Sequence, residues 1–265
     1  MMTSWLKKNH LTVKPTPAPP LLSLSEDRDL DTAVQRLIYI EEAIRKLIKE
    51  MKKYLKAITS LDTTDRNLST NLTDCILAQN NDEFRKIIEE YHSVTTQAGK
   101  NIQEMETLCK ETFIEPLRRL RGQFELVQSA LMKREELVNV WKASHVRLKK
   151  LEEKKDRMAS TIAKLEKEKR AEETAGKELK ALHTQLLKEL PLFLEKRLEY
   201  IKPSVHALIM IELEYYGQST QLFAQLMPTN TLKSPTNVVL SDEEYEHELQ
   251  NQLSKIKSLT IVKSH

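Results

Sequence analysis

Glycine is nearly absent: the 265 residues hold four, where average usage gives about eighteen. Hairpins and tight βα turns draw on Gly, Asn-Gly or Asp-Gly to reach positive φ, and no NG, DG or GG pair occurs. A β-sandwich, a barrel and a doubly wound α/β fold are thereby disfavoured. Proline crowds the ends, at Pro15, Pro17, Pro19 and Pro20 near the start and at Pro228 and Pro235 near the finish. Only Pro116, Pro191 and Pro203 lie between them, so the central chain runs with almost no turn chemistry. The two cysteines, Cys75 and Cys109, form no CxxC and no disulfide framework, which fits an intracellular, reducing compartment. No apolar stretch approaches the roughly 20 residues of a membrane span. Lys7, Lys8 and a proline-rich run follow Leu6 too soon for a signal peptide.

Catalytic chemistry is missing as well. There is no GxxxxGK[ST], GxGxxG, GxSxG or HExxH, and His145 and His183 fall on or beside helical registers as half-buried or surface side chains. No enzymatic activity, cofactor or metal site is expected. What remains is 40% hydrophobic, 31% charged and 5% aromatic, the balance of long helices with narrow apolar seams.

The expected fold class is all-α, a long kinked antiparallel three-helix coiled coil. Residues 1–24 read as a proline-rich tail, loose because each proline lacks an amide donor and restricts its predecessor. Within it Trp5, Leu6, Lys7 and Lys8 offer a short interfacial membrane anchor. Ser25, with Glu26, Asp27 and Asp29 behind it, is the expected N-cap of the first helix. Apolar residues then recur at three and four from Leu30 to Ile58, and Asn80 to Glu83 mark a stop and restart. A second stripe runs from Phe84 through Pro116 to about Lys155, an element of about 110 Å at 1.5 Å per residue. Its register survives the proline, which either kinks one helix or ends it and starts another. The polar group from Asp156 to Ser160 is the candidate reversal, and a third stripe follows from Ile162 to Leu226 with Pro191 and Pro203 inside it. The helical body spans 25–226. Residues 227–265 read as a linker and a short acidic helix opened by the capping-box pattern of Ser241 to Glu244.

The net charge is only +3, yet it is unevenly spread. From Lys133 to Arg170 thirteen Lys/Arg face seven Asp/Glu, a local +6, with Lys149, Lys150, Lys154, Lys155 and Arg157 on one side of the reversal and Lys164 and Lys167 on the other. A second run, Arg45, Lys46, Lys49, Lys52, Lys53 and Lys56, meets only Glu50. Each such side chain near an anionic leaflet is worth about 1 kcal/mol, and the same runs suit a solvated coiled-coil face. Two readings stay open: a membrane-binding dimer, and a cytoskeletal scaffold or adaptor whose charges only solvate it. A nucleic-acid binder would interleave aromatic residues with its cations, and across the two basic runs only Tyr54 and Trp141 do so.

Several stretches resemble the BAR-domain family, in its short bridging-integrator branch more than in amphiphysin. The likeness is carried by FIEPLRRL from Phe113 to Leu120, by Lys133 to Glu135, by EEKKD from Glu152 to Asp156 and by LKELPLF from Leu187 to Phe193. It continues in RLEY from Arg197 to Tyr200, Pro203-Ser204, Ser4-Trp5 and SLTI from Ser258 to Ile261. The resemblance implies a crescent-shaped dimer, a homodimer or a heterodimer with another BAR protein, which binds or senses curved anionic phospholipid membrane. It implies links to actin-regulatory proteins, endocytosis and cytokinesis, and a cytoplasmic, peripheral-membrane and cytoskeleton-associated location. By position it makes Lys154 and Lys155 lipid contacts, with Lys149, Lys150 and Arg157 nearby, and Lys133, Arg134 and Lys142 concave-face candidates. Pro116, Pro191 and Pro203 become the helix kinks.

Overall fold

The computed structural model describes residues 13–153, 159–227 and 242–259. Its helices are α1 (Leu24–Thr73), α2 (Ile76–Gln79), α3 (Asp82–Cys109), a π-helical turn (Lys110–Ile114), α4 (Glu115–Glu152), α5 (Ala159–Ala224) and α6 (Asp242–Lys257), and among the described residues there is no strand. The chain is all-α. It divides into two compact units, one of residues up to Thr63 with Lys100–Tyr215, the other of Thr64–Gly99 with the residues from Tyr216 onward.

The cap of α1 stands two residues ahead of the expected one. Ser23 is the capping residue: its hydroxyl accepts the Glu26 amide at 3.1 Å, and the Glu26 carboxylate accepts the Ser23 amide at 3.3 Å. This reciprocal pair is a capping box, and Ser23, by its hydroxyl first and its amide second, holds the exposed Glu26 carboxyl below its usual range. Ser25 only adds a hydroxyl contact to Ser23 at 3.1 Å.

In the larger unit the α1 seam is Leu30, Val34, Leu37, Ile44, Ile48, Met51 and Leu55, all buried. It packs on Met105, Cys109, Phe113, Leu117, Phe124 and Leu131 from the second helical run and on Leu186 and Leu190 from α5. Side-chain pairs fix the directions. Along α4, His145, Arg134 and Phe124 meet Glu172, His183 and Phe193 of α5, so each step back on α4 is a step forward on α5. Asp27 near the start of α1 reaches Arg134, while Lys52 and Lys56 further along α1 share a groove with Arg118 and Arg119, which sets α1 antiparallel to α4. The chain therefore reverses between Glu152 and Ala159. Phe124 and Phe193 close the core edge to face, centroids 5.3 Å apart and planes at 85°.

Pro116 does not stop the second helical run. Five π-helical residues precede it, and the Glu115 amide donates to the Lys110 carbonyl five residues back. The widened turn gives the pyrrolidine ring room against the carbonyl four residues behind it, where a regular α-helix would clash. Pro116 then stands in the first turn of α4, where its missing amide hydrogen leaves no bond unmade. Pro191 and Pro203 lie inside α5, which stays helical through both.

The smaller unit turns on α2. Asn81 caps α3 by accepting the Phe84 amide at 2.9 Å, with Asp82 and Glu83 in the first turn. Across the turn the Thr95 hydroxyl donates to Ser69 Oγ at 3.1 Å, and Ser69 Oγ lies 3.0 Å from His92 Nδ1. Ser69 and Thr95 are buried, so their hydroxyls satisfy one another where water does not reach. In α6 no residue is buried.

Candidate functional site

The expected membrane-contact cations divide into three groups. Lys149 and Lys150 lie exposed at the end of α4, and Lys164 and Lys167 lie exposed near the start of α5. The pairing of Arg147 with Glu168, 3.0 Å apart, brings these four lysines to one level at the end of the helical arm. Acids lace the flanks, through Arg170–Glu166 at 3.4 Å and Lys177–Glu173 at 2.7 Å. Lys154, Lys155 and Arg157, like Trp5, Leu6, Lys7 and Lys8, lie outside the described residues. Lys133 is exposed and pairs with Glu136 at 3.5 Å, and Lys142 is half-buried.

Arg134 is a correction. By position the family resemblance implies a concave-face lipid contact, yet its side chain has no exposed surface. Nη2 donates to Asp27 Oδ1 at 2.7 Å, and Nη1 donates to Glu135 Oε1 at 2.6 Å and to the Thr16 carbonyl at 3.1 Å. Nε donates to His183 Nδ1 at 3.2 Å. A buried guanidinium is tolerable only when carboxylates and acceptors replace its water, and here the two acids, a carbonyl and an imidazole do so. His183, expected at a half-buried or surface position, is 1% exposed. Burial, and after it the Arg134 charge, holds the imidazole below its ordinary value. A neutral ring with a free Nδ1 lone pair is what the Arg134 Nε–H requires.

This clamp also overturns the expectation of a loose N-terminal tail for the described part of it. The prolines at 15, 17, 19 and 20 have no amide to satisfy, and the two amides among them find carboxylates: Thr16 donates to Glu135 at 3.1 and 3.2 Å, and Ala18 donates to Asp27 Oδ2 at 3.1 Å. Ala18 and Leu22 are buried with Leu137, Val138 and Trp141 of α4 and Ala175 and Leu179 of α5. The Trp141 indole donates to Glu172 Oε1 at 3.0 Å and stacks on His145, centroids 5.1 Å apart. Residues 13–23 form a strap docked on α4 and α5.

A different surface lies on the second half of α5. Leu198, Val205, Ile209 and Leu213 recur at spacings of seven and four and are 40–65% exposed, an apolar seam that no residue of its own unit covers. No group of three or more His, Cys, Asp or Glu able to hold a metal occurs among the described residues, and no helix among them is long and apolar enough to cross a membrane. Burial, then the Glu212 carboxylate, pushes the Cys109 thiol up to about 11, so it stays protonated and unreactive at neutral pH.

Comparison with known proteins adds the family context. The family model for the BAR domain matches residues 24–231. Over 246 residues the chain is 27% identical to the bridging integrator 3 homolog of Xenopus laevis and 26% identical to bridging integrator 3 of Homo sapiens, covering 93% of this chain and 95% of each relative. Protein hob3 of Schizosaccharomyces pombe is 25% identical over 234 residues, 85% of this chain and 84% of that protein. Among solved structures, a BAR protein from Galdieria sulphuraria aligns with a TM-score of 0.61 at 10% identity, covering 76% of this chain and 96% of its own. The amphiphysin BAR domain from Drosophila aligns at 0.58 and 14% identity, covering 88% and 96%. At such identities the likeness is one of fold.

Proposed function

The chain belongs to the BAR-domain family, and from that premise we propose that it is a non-enzymatic protein that dimerises and binds or senses curved anionic membrane. The observation that carries this reading is the group Lys149, Lys150, Lys164 and Lys167, exposed at one end of the arm and without ion-pair partners among the described residues. Lysines so placed add about 1 kcal/mol each near an anionic leaflet, and a dimer doubles their number. Lys154, Lys155 and Arg157, between them in the chain, add three cations to the same basic run of sequence, and Trp5 to Lys8 would add an interfacial anchor. The apolar seam from Leu198 to Leu213 supports dimerisation, because a coiled-coil stripe left open to water is relieved by a second helical surface. We assign that surface to a second copy or a related BAR chain, and the proline positions to bending of the helices. The reading extends to a role in endocytosis, actin organisation or cytokinesis in the cytoplasm, through actin-regulatory proteins; a Candida albicans relative is named as a regulator of cytoskeleton and endocytosis.

Liposome co-sedimentation in a salt series tests the membrane reading. Binding to phosphatidylserine vesicles at low salt, lost on raising salt and lost in Lys149→Glu/Lys150→Glu, supports it. No binding at low salt, or binding indifferent to those changes, leaves the scaffold reading, which the ion pairs lacing α4 and α5 favour. Light scattering tests the dimer separately, and a monomer at micromolar concentration overturns it.

A further inference from the structure

A second group of uncompensated cations lies away from the arm's end. Lys49, Lys52 and Lys56 are exposed on one face of α1, and Arg121 of α4 stands across a groove of about 410 Å³ from them. Apart from Ile48 every side chain lining this groove is a lysine or arginine, and no carboxylate enters it. Lys53 is held by Glu50 at 2.9 Å, whereas Lys49, Lys52, Lys56 and Arg121 have no ion-pair partner among the described residues. A larger groove of about 720 Å³ continues from Lys52 and Lys56 to the π-helical turn. Of the acids there, Glu106 is engaged with Lys110 at 2.6 Å and Glu115 with Arg118 at 3.3 Å, and neither they nor Glu111 line the smaller groove.

We infer that the groove between α1 and α4 is a binding site for a multiply phosphorylated group, carried on a lipid headgroup or free in solution. The dimensions select for several phosphates. Lys49 and Lys56 are separated by about 10 Å along the helix at 1.5 Å per residue, and packed helix axes stand about 8–10 Å apart, so one phosphate cannot engage both ends and both walls. A compact polyol bearing three or more phosphates can. Like charges so arranged repel one another, and a polyanion that replaces their diffuse counterions removes that repulsion while releasing the ions. Singly charged lipids in a flat leaflet reach the rim of such a groove but not both of its walls. The site is built from other residues than the arm-end lysines, so it stands or falls apart from the membrane reading above.

The test uses the full chain with inositol hexakisphosphate as the soluble probe, measured by titration calorimetry at physiological salt, together with two vesicle sets matched in charge, one phosphatidylserine and one phosphatidylinositol bisphosphate. Saturable binding of the probe is expected, weakened at least about tenfold in Lys49→Gln/Lys52→Gln/Lys56→Gln and also weakened in Arg121→Gln, while Lys188→Gln, at an exposed α5 lysine outside both basic groups, leaves it within about twofold. Preference for the bisphosphate vesicles, competed by the probe, assigns the group to a lipid headgroup, and probe binding without vesicle preference assigns it to a soluble polyphosphate. No saturable probe binding, or binding unaffected by the α1 and Arg121 variants, overturns the inference. The variants replace exposed or half-exposed side chains, and unchanged helical circular dichroism checks that they fold.

Discussion

Arg134 and the lysines at the far end of α4 carry the same charge on the same helix and meet opposite fates. Arg134 is enclosed, with four of its five donors committed. Lys149 and Lys150 project into solvent. Register separates them: Leu131, Arg134, Val138 and Trp141 advance by three and four residues, so Arg134 takes a seam position between buried apolar neighbours. A cation in a seam becomes structural only if other elements deliver its partners, here Asp27 from α1, Thr16 from the strap and His183 from α5. One turn outside the seam the same charge is available to a ligand.

The largest expected effect comes from breaking the clamp. Arg134→Met leaves Asp27 and Glu135 with no cation beside them and should cost about 3–5 kcal/mol in chemical denaturation, whereas Lys149→Met should change stability by less than about 0.5 kcal/mol. Similar losses from the two would erase the distinction drawn between them. Leu22→Ala comes next, at about 2–3 kcal/mol, the lower part of the range for a buried leucine because the strap can partly collapse onto the gap. If strap and clamp act as one unit, Leu22→Ala should cost less in the Arg134→Met background than alone. Additive losses would mean that the strap holds by its apolar contacts only.

Much of the arm was legible in the sequence, and the clamp was not. The scarcity of glycine and the three-four spacing from Leu30 to Leu226 give helices and their directions, because burying a narrow stripe along such lengths leaves few arrangements. Seam position is visible for Arg134 too, three residues from Leu131 and four from Val138, yet an arginine beside Lys133 reads as surface. Its partners lie 107 and 49 positions away, at Asp27 and His183, and no local pattern announces pairs at that separation. The docking of the strap escapes local pattern for a related reason. Prolines exclude helix, but they do not make a segment loose, since a chain with few amides to satisfy docks at low polar cost. The α1 lysine run was visible as charge, while the groove depends on Arg121 facing it from another helix.

A smaller effect should follow from pH. In the folded chain His183 faces Arg134, Asp27 and Glu26; burial and then Arg134 lower its pKa, and the two carboxylates raise it by less. The unfolded chain then takes up the proton more readily, so the stability contributed by the neutral ring is complete above about pH 6.5 and declines as the pH falls below it. His183→Gln keeps a side-chain acceptor and has no proton to gain. Its melting temperature should therefore fall less between about pH 7 and pH 5 than that of the wild type, and Lys149→Gln should track the wild type. Parallel wild-type and His183→Gln curves would show that protonation does not reach the clamp.

The smallest effect compares two glycines, one on open surface and one under the strap. A Cβ at Gly122 of α4 would meet nothing within 4 Å, whereas at Gly176 of α5 it would lie 3.3 Å from Leu21 Cδ1 and 3.6 Å from Trp141 Cδ1. Alanine in a helix interior gains about 0.5–1 kcal/mol over glycine, and Gly122→Ala should show that gain in full. Gly176→Ala receives the same helical gain but presses on Leu21, so its net gain should be smaller. The deficit should shrink in a Leu21→Ala background, where the pressing methyl groups are gone. Equal gains at the two positions would mean that in solution the strap stands off α5, and the clamp would then hold Arg134 without it.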